Sequence, residues 1–185
     1  MTPAWQPMTA ASLCVPDTAL RSWLAEPGQL THRLQEACGG YTVEVEDQSE
    51  RTLSGPEAEL LGCAVQPALM REIVLQAATG EPCVFARTLV PRDTLRVHEW
   101  LGELGGMPLG AVLALRSDVT RSGFEIARLV AGDELFLPAA GHAAVTPAGM
   151  WARRSVFQVG PGSSSLLVYE VFLPALDRYA SPAGA

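Results

Sequence analysis

Alternating apolar and polar positions predict a sheet of antiparallel strands. In several segments of the chain every second residue is apolar, which is the period of a strand with one face against a core. Two pairs of these segments are separated by short turns rich in glycine and proline, at 79–82 and 160–162, so each pair predicts a β-hairpin. The predicted strands cover 41–46, 69–76, 83–90, 119–129, 151–159 and 166–173.

Segments with apolar residues at helical spacing flank these strands. The first begins after Asp17, a residue typical of helix N-caps, and stops at Pro27 and Gly28. The other predicted helices cover 29–38, 57–61 and 94–104. Hairpins with flanking helices favour an α+β fold over alternating βαβ units. We therefore expect a single domain over 1–185, an antiparallel β-sheet with flanking helices, with its core at about 17–176 and short flexible termini.

The composition excludes several classes of function. Of the 185 residues, 48% are hydrophobic and 18% are charged, as in a folded soluble domain and unlike a disordered chain. The formal net charge of −7 argues against a nucleic-acid partner, since such a surface needs clustered positive charge. All 13 basic residues are arginines, so a Schiff-base lysine, a pyridoxal phosphate attachment and a P-loop lysine are excluded.

Cysteine and histidine spacing gives no sign of a metal site or a disulfide scaffold. The four cysteines contain no C-x-x-C pair, and the three histidines lie far apart. Reduced thiols in a cytoplasmic protein are therefore the expectation. The longest stretch without acidic or basic residues, 135–152, is broken by proline, glycine and histidine, so no membrane span is predicted.

Three charged residues fall among apolar neighbours in the predicted strands. Side chains two positions apart share a face of a strand, and by this rule Arg71 and Arg87 each lie on an apolar face. Glu170 lies in a strand that is apolar on both faces. Of the adjacent Arg153 and Arg154, at most one can face a given pocket, because neighbouring strand residues point in opposite directions.

A charge that is buried alone costs several kcal/mol, so these residues need partners. They could form an internal Arg–Glu salt bridge that only completes the core. They could instead form a buried anion site, in which the arginines bind a substrate carboxylate and Glu170 handles a hydroxyl group or a proton. The pattern leaves both open, although two inward arginines against one inward acid favour a missing anion.

A set of short motifs, in a fixed order, resembles the chorismate lyase family. The motifs lie between about Trp23 and Pro174 and so cover most of the chain. Each is short, and their order and spacing give the set its specificity. The most specific are Arg71-Glu72-Ile73, Ala86-Arg87-Thr88 followed by Val90-Pro91, Pro108-Leu109-Gly110, Arg153-Arg154-Ser155 and Glu170-Val171-Phe172-Leu173-Pro174.

The resemblance implies an antiparallel sheet that encloses an internal ligand cavity beneath helical flaps, and a carbon–oxygen lyase. The implied reaction converts chorismate to 4-hydroxybenzoate and pyruvate, the first step of ubiquinone biosynthesis, without a metal or an organic cofactor. We expect a cytoplasmic monomer whose partners are the substrate chorismate and the product 4-hydroxybenzoate, with no nucleic-acid partner and no membrane span.

The resemblance also assigns site residues. Arg71 is expected to bind the ring carboxylate and Glu170 to hydrogen-bond the 4-hydroxyl side of the ring, so these two are the expected catalytic residues. Leu30 and Leu109 are expected to bind the substrate through their backbone N–H groups. Arg87 is a further candidate for substrate binding, and no metal ligand is expected.

One segment departs from the family pattern. An Ala/Pro/Gly-rich stretch at 131–150 is longer than in familiar members, and we expect an extra surface loop there, near the cavity mouth. Two other functions fit the expected fold. One is a non-catalytic domain that senses an aromatic acid, as in a group of bacterial transcription regulators, and the other is a lyase that gives another hydroxybenzoate isomer. The lack of a basic stripe counts against a regulator.

Overall fold

An open antiparallel sheet is the framework of the computed structural model, which describes residues 3–11, 15 and 17–179. Within these residues the eight strands are β1 (Gln6–Pro7), β2 (Tyr41–Thr52), β3 (Pro67–Ala77), β4 (Pro82–Pro91), β5 (Val119–Arg121), β6 (Glu125–Leu129), β7 (Met150–Val159) and β8 (Ser165–Phe172). Their order is β1-β6-β7-β8-β4-β3-β2, with β5 paired to β7 beside β6. The predicted single α+β domain with an antiparallel sheet is confirmed, and the predicted flexible termini fall partly outside the described residues.

Two hairpins build the centre of the sheet, as the turn signals predict. β3 and β4 are joined through Gly80, whose φ of 84° lies in the left-handed region that favours glycine. β7 and β8 are joined through Gly160, with a φ of 72°. Because β8 pairs with both β7 and β4, the two hairpins form one continuous centre of four strands.

Short helices connect the strands. They are α1 (Met8–Ala11), α2 (Thr18–Leu24), α3 (Leu30–Ala37), α4 (Gly55–Leu61), α5 (Arg92–Val97), α6 (Leu109–Ala114) and α7 (Phe136–Ala140), with 3-10 helices at Glu99–Gly102 and Pro174–Tyr179. Asp17 caps α2 as predicted, since its carboxylate accepts hydrogen bonds from the backbone N–H groups of Ala19 (2.7 Å) and Leu20 (3.3 Å).

Three elements differ from the sequence expectation. β2 continues to Thr52, beyond the predicted end at 46, because an edge strand pairs its backbone with β3 while its polar side chains stay exposed. The predicted helix 94–104 is interrupted at His98, because the φ of −126° and ψ of 64° of this residue are not helical. The single predicted strand 119–129 is two strands, β5 and β6, which both pair with β7.

Helices cover both faces of the sheet. One face packs against α2, α3 and α6, where Trp23, Leu34 and Leu113 are buried. The other face packs against α4 and α7, where Leu61 and Phe136 are buried in one cluster with sheet residues. The two faces therefore have separate cores, and only the first contains the large cavity described below.

Part of the segment 131–150, residues 135–140, packs into the core of the second face. Leu135, Phe136 and Ala139 are buried in the cluster that also holds Phe85 of β4. No residue of this segment lines the large cavity. The expected position near the cavity mouth is therefore wrong, because the apolar side chains at 135–140 bury enough surface to form a packed helix on the other face. Residues 141–149 do form a largely exposed loop, as expected.

Candidate functional site

A cavity of about 370 Å³ lies between the sheet and the segments that lead into α3 and α6. Strand alternation places the side chains of four neighbouring strands on its sheet side. These side chains belong to Ile73, Leu75, Ala86, Thr88, Arg153, Ser155, Phe157, Val168 and Glu170. The opposite side is formed mainly by residues 27–31 and 108–110. The volume of the cavity falls in the range of small-molecule sites, roughly 300–1,000 Å³.

Glu170 is held at the cavity by an ion pair with Arg153. The two residues lie directly opposite each other on β8 and β7, and the Nε of Arg153 donates a hydrogen bond of 2.5 Å to Glu170 Oε2. The Nη1 of Arg153 donates to the backbone oxygens of Leu24 (3.1 Å) and Glu26 (2.9 Å), at the end of α2. Glu170 Oε1 has no hydrogen-bond partner among the described residues. The carboxylate is thus fixed through one oxygen, which leaves the other available to a ligand.

Arg71 lies beside the cavity without a carboxylate partner. It shares a face of the sheet with Ile73 and lies opposite Thr88, and both of these residues line the cavity. Its Nη2 donates hydrogen bonds to the backbone oxygens of Gly105 (2.7 Å) and Met107 (3.2 Å). Its Nε is buried with no acceptor in the described part of the chain. Burial lowers the pKa of the Arg71 guanidinium, because desolvation disfavours the charged form.

The first residues of two helices line the cavity. Leu30 begins α3 and Leu109 begins α6, and both side chains are buried. The backbone N–H groups in the first turn of a helix have no acceptor within that helix. The structure therefore brings Leu30 and Leu109 to the same cavity as Glu170, with backbone donors that suit an anion or a polar ligand atom.

Arg121 of β5 is a further guanidinium on the wall of the cavity. Its Nη2 donates a hydrogen bond to the backbone oxygen of Pro27, and its guanidinium carbon lies 4.4 Å from the ring centroid of Phe124 and 5.8 Å from that of Phe157. Burial and the nearby Arg153 lower the pKa of the Arg121 guanidinium. In the described part of the structure no carboxylate forms an ion pair with it.

Arg87 lies on the opposite face of the sheet, so the expectation that it joins the same site is wrong. It is buried, as the pattern predicts, but it forms ion pairs with Glu72 (2.6 Å) and Glu134. It lines a separate cavity of about 170 Å³. Arg154 also lines that smaller cavity and pairs with Glu125 at 2.8 Å, so only Arg153 of the Arg153–Arg154 pair faces the large one, as alternation requires.

Sequence reasoning missed Arg153 and Arg121 as site residues. The turn predicted at 160–162 would place Arg153 opposite Tyr169, and only the observed turn of four residues, 160–163, places it opposite Glu170. Arg121 gave no signal, since it reaches the cavity from the short strand β5, which was predicted as one strand with β6.

Cysteine and metal chemistry have no counterpart at this cavity in the described residues. Cys38, Cys63 and Cys83 are free thiols outside the cavity. Burial raises the pKa of the Cys83 thiol to about 12, so it stays protonated and is a poor nucleophile. No group of three or more possible metal ligands occurs in the described residues. Within the same residues, no helix is long and apolar enough to cross a membrane.

Comparison with known protein families gives a match along nearly the whole chain. A family model described as chorismate lyase matches residues 2–180. The chain is 41% identical over 164 residues to a protein of Azoarcus sp. (strain BH72) named "Probable chorismate pyruvate-lyase", and the match covers 85% of each chain. It is 35% identical over 176 residues to a protein of the same name from Photobacterium profundum, covering 93% of this chain and 87% of the relative.

Solved structures with a similar fold include domains of transcription regulators. The effector domain of PhnF from Mycobacterium smegmatis superposes with a TM-score of 0.57 at 18% identity, covering 80% of this chain and 90% of that one. The C-terminal domain of the histidine utilization repressor from Pseudomonas syringae pv. tomato gives a TM-score of 0.57 at 12% identity, covering 78% and 96%. At these identities the likeness concerns the fold alone.

Proposed function

Because the chain belongs to the chorismate lyase family, we propose that this lyase cleaves chorismate to 4-hydroxybenzoate and pyruvate, the first step of ubiquinone biosynthesis. In this elimination the ring loses the proton at C4 and the bond between C3 and the ether oxygen breaks. The electron pair of the C–H bond completes the aromatic ring. The enolpyruvate that leaves takes up a proton and becomes pyruvate, so the reaction is redox-neutral.

The buried Arg71 carries this proposal. The residue is 2% exposed, and its guanidinium has no carboxylate partner among the described residues and has an Nε without an acceptor. A carboxylate bound at this end of the cavity supplies both the counter-charge and the acceptor. We assign the ring carboxylate of chorismate to Arg71, with the backbone N–H of Leu109 as a second donor at the neighbouring helix start.

Glu170 and Leu30 bind the other polar groups of the ring in this proposal. Arg153 holds one oxygen of the Glu170 carboxylate, and the other oxygen accepts a hydrogen bond from the 4-hydroxyl group. From the same position Glu170 is close to C4, whose proton must leave, and can accept that proton. The backbone N–H of Leu30, at the start of α3, is available to a substrate oxygen.

The surroundings of the cavity favour a reaction that is driven by aromatisation. Apolar side chains of Ile73, Leu75 and Val168 form much of the wall. In water-poor surroundings, charges held in fixed positions act more strongly on a developing charge than they do in water. The protein thus needs to bind the carboxylates, accept one proton and stabilise the charge on the departing ether oxygen.

The direct test is incubation of the purified protein with chorismate. We expect pyruvate and 4-hydroxybenzoate in equal amounts, measured by a coupled pyruvate assay and by chromatography. Folded protein that releases no pyruvate would contradict the lyase proposal, and a different hydroxybenzoate isomer would contradict the proposed product. Binding of 4-hydroxybenzoate without turnover of chorismate would instead indicate a sensing domain.

Arg71→Ala tests the residue that carries the proposal. We expect its kcat/KM for chorismate and its affinity for 4-hydroxybenzoate both to fall by about 100-fold, because a charged hydrogen-bonded contact contributes about 1.5–3 kcal/mol. Arg96→Ala is the matched control, since Arg96 is exposed and pairs only with Asp93 on the surface. Normal turnover in folded Arg71→Ala would remove Arg71 from the site.

A further inference from the structure

Two guanidinium groups at the cavity lack a carboxylate partner. Four charged residues line the cavity, namely Arg116, Arg121, Arg153 and Glu170, and Arg71 lies beside it on the same face of the sheet. Arg153 pairs with Glu170 at 2.5 Å and Arg116 pairs with Asp118 at 2.9 Å. Among the described residues, neither Arg71 nor Arg121 forms an ion pair, although the charges of Glu170 and Glu26 also act on Arg121. Two guanidinium groups at or beside the cavity thus have no carboxylate within ion-pair distance, which fits a ligand with two negative charges.

The two arginines reach the cavity from different sides. Arg71 lies on β3, whereas Arg121 lies on β5 and pairs there with Phe157 of β7. β4, β8 and β7 separate these two strands, and Glu170 is on the strand in the middle, β8. A ligand that spans the cavity therefore meets Arg71, Glu170 and Arg121 in that order.

Chorismate has polar groups in the same order. The ring carboxylate lies at C1, the hydroxyl group lies across the ring at C4, and the enolpyruvyl ether extends from the neighbouring C3 with a carboxylate at its end. With the ring carboxylate at Arg71 and the 4-hydroxyl group at Glu170, the enolpyruvyl carboxylate extends toward the far side of the cavity, where Arg121 lies.

We propose that Arg121 binds the enolpyruvyl carboxylate of the substrate and thereby distinguishes substrate from product. This inference rests on the proposed function, because only chorismate supplies that second carboxylate. The aromatic rings of Phe124 and Phe157 support the guanidinium, and its one described hydrogen bond, to the backbone oxygen of Pro27, leaves further N–H donors for a carboxylate. 4-Hydroxybenzoate lacks the enolpyruvyl carboxylate, so it leaves Arg121 uncontacted.

The test compares one variant on two ligands. In Arg121→Gln we expect kcat/KM for chorismate to fall by about 10- to 100-fold, the loss of one charged contact. We expect the Kd for 4-hydroxybenzoate, measured by calorimetry, to stay within threefold of the wild-type value. Arg71→Gln is expected to weaken both ligands, and the exposed Arg96→Gln neither. If Arg121→Gln does not fold, Arg121→Met keeps a long side chain on the two rings without the charge.

The outcomes separate this inference from the proposed function. Wild-type protein that does not convert chorismate overturns the proposed function and the inference with it. Active wild-type protein with unchanged kcat/KM for chorismate in the Arg121 variant overturns only the inference. Equal loss of chorismate and 4-hydroxybenzoate binding also overturns it, because Arg121 then serves only to hold the Pro27 segment. A loss confined to chorismate supports it.

Discussion

Arg153 determines how Glu170 is presented to the cavity. Its guanidinium donates to the carboxylate and to backbone oxygens at the end of α2, and it lies 4.1 Å above the ring of Phe124. With a side chain only 1% exposed, Arg153 has little freedom to move. Glu170 therefore has one fixed oxygen and one available oxygen. This arrangement holds the available oxygen in the same position relative to the substrate ring in every turnover.

Glu170→Gln tests whether this carboxylate accepts the ring proton. Glutamine has nearly the same shape and can still hydrogen-bond the 4-hydroxyl group, but it cannot take up a proton. We expect kcat for chorismate to fall by about 100-fold or more, because general-base catalysis contributes about 10²–10⁴, while the Kd for 4-hydroxybenzoate changes less than tenfold. Stopped assays for pyruvate and calorimetry measure the two quantities.

The exposed Glu50→Gln is the matched control, since Glu50 pairs with Arg92 on the surface. A fall in kcat of less than tenfold for Glu170→Gln would show that Glu170 only orients the ring. Thermal unfolding of the variant must be compared with the wild type, because the change also removes the partner of Arg153.

At the scale of single residues, the sequence predicts that Arg71 and Arg87 are buried, but not which face of the sheet each of them occupies. Glu170 lies at the cavity, and Arg71 lies beside it on the same face of the sheet. Arg87 does not, because the pairing of β3 with β4 shifts by one residue between Leu75 and Gln76. If the register that pairs Gln76 with Pro82 continued along both strands, Arg87 would lie opposite Arg71 and on the same face of the sheet. A one-residue shift exchanges the faces of a strand, and a bulge of this kind leaves no mark in the apolar pattern.

At the scale of elements, α4 is tied to two strands of the sheet by a single carboxylate. Glu57 completes a capping box, in which its Oε2 accepts a hydrogen bond of 2.8 Å from the backbone N–H of Ser54. Its Oε1 pairs with Arg51 of β2 and accepts a hydrogen bond of 3.4 Å from the hydroxyl group of Tyr169 of β8. The sequence predicts α4 itself, and Arg51 lies only six residues before Glu57, but Tyr169 lies 112 residues after it, so only the folded sheet brings Tyr169 to the helix start.

Glu57→Gln is expected to make the free energy of unfolding less dependent on pH in the acidic range. Burial opposes ionisation of Glu57, but the Ser54 N–H and the Arg51 guanidinium outweigh it, so the pKa of the carboxyl lies below its ordinary value. A lowered pKa in the folded state stabilises the fold above the unfolded-state pKa, about 4.3 for glutamate, and this contribution is lost as the pH falls through the folded-state pKa. At pH 7 we expect the variant to lose about 1–3 kcal/mol of unfolding free energy.

Urea unfolding at pH 7 and at pH 3 measures this effect. The difference between wild type and Glu57→Gln should narrow at pH 3, because below the unfolded-state pKa protonation stabilises the unfolded chain and offsets the charged contacts of the folded state. Glu59→Gln is the control on the same helix, because Glu59 is exposed. A difference that is equally large at both pH values would mean that the glutamine changes packing rather than a charged contact.

At the scale of the whole molecule, the sheet separates the cavity from a second core. The cavity and the residues proposed to bind substrate lie on one face, while Phe136 of α7 and Tyr169 of β8 lie on the other. The apolar pattern predicts the antiparallel hairpins and the helices that flank them. It does not predict that residues 135–140 complete the second core, because the helical turn Phe136–Ala140 is short and lies in a stretch rich in glycine and proline.

Phe136→Ala should therefore lower stability without changing the chemistry. Phe136 is 2% exposed in the second core, and truncation of a buried phenylalanine costs about 3–5 kcal/mol of unfolding free energy. Because the sheet lies between α7 and the cavity, we expect KM for chorismate to stay within twofold of the wild-type value at temperatures where the variant is folded. Leu137→Ala on the same helix is the control, since Leu137 is 71% exposed and its truncation should change stability by less than about 0.5 kcal/mol. A raised KM in folded Phe136→Ala would show that the two faces are coupled through the sheet, and that α7 acts on substrate binding after all.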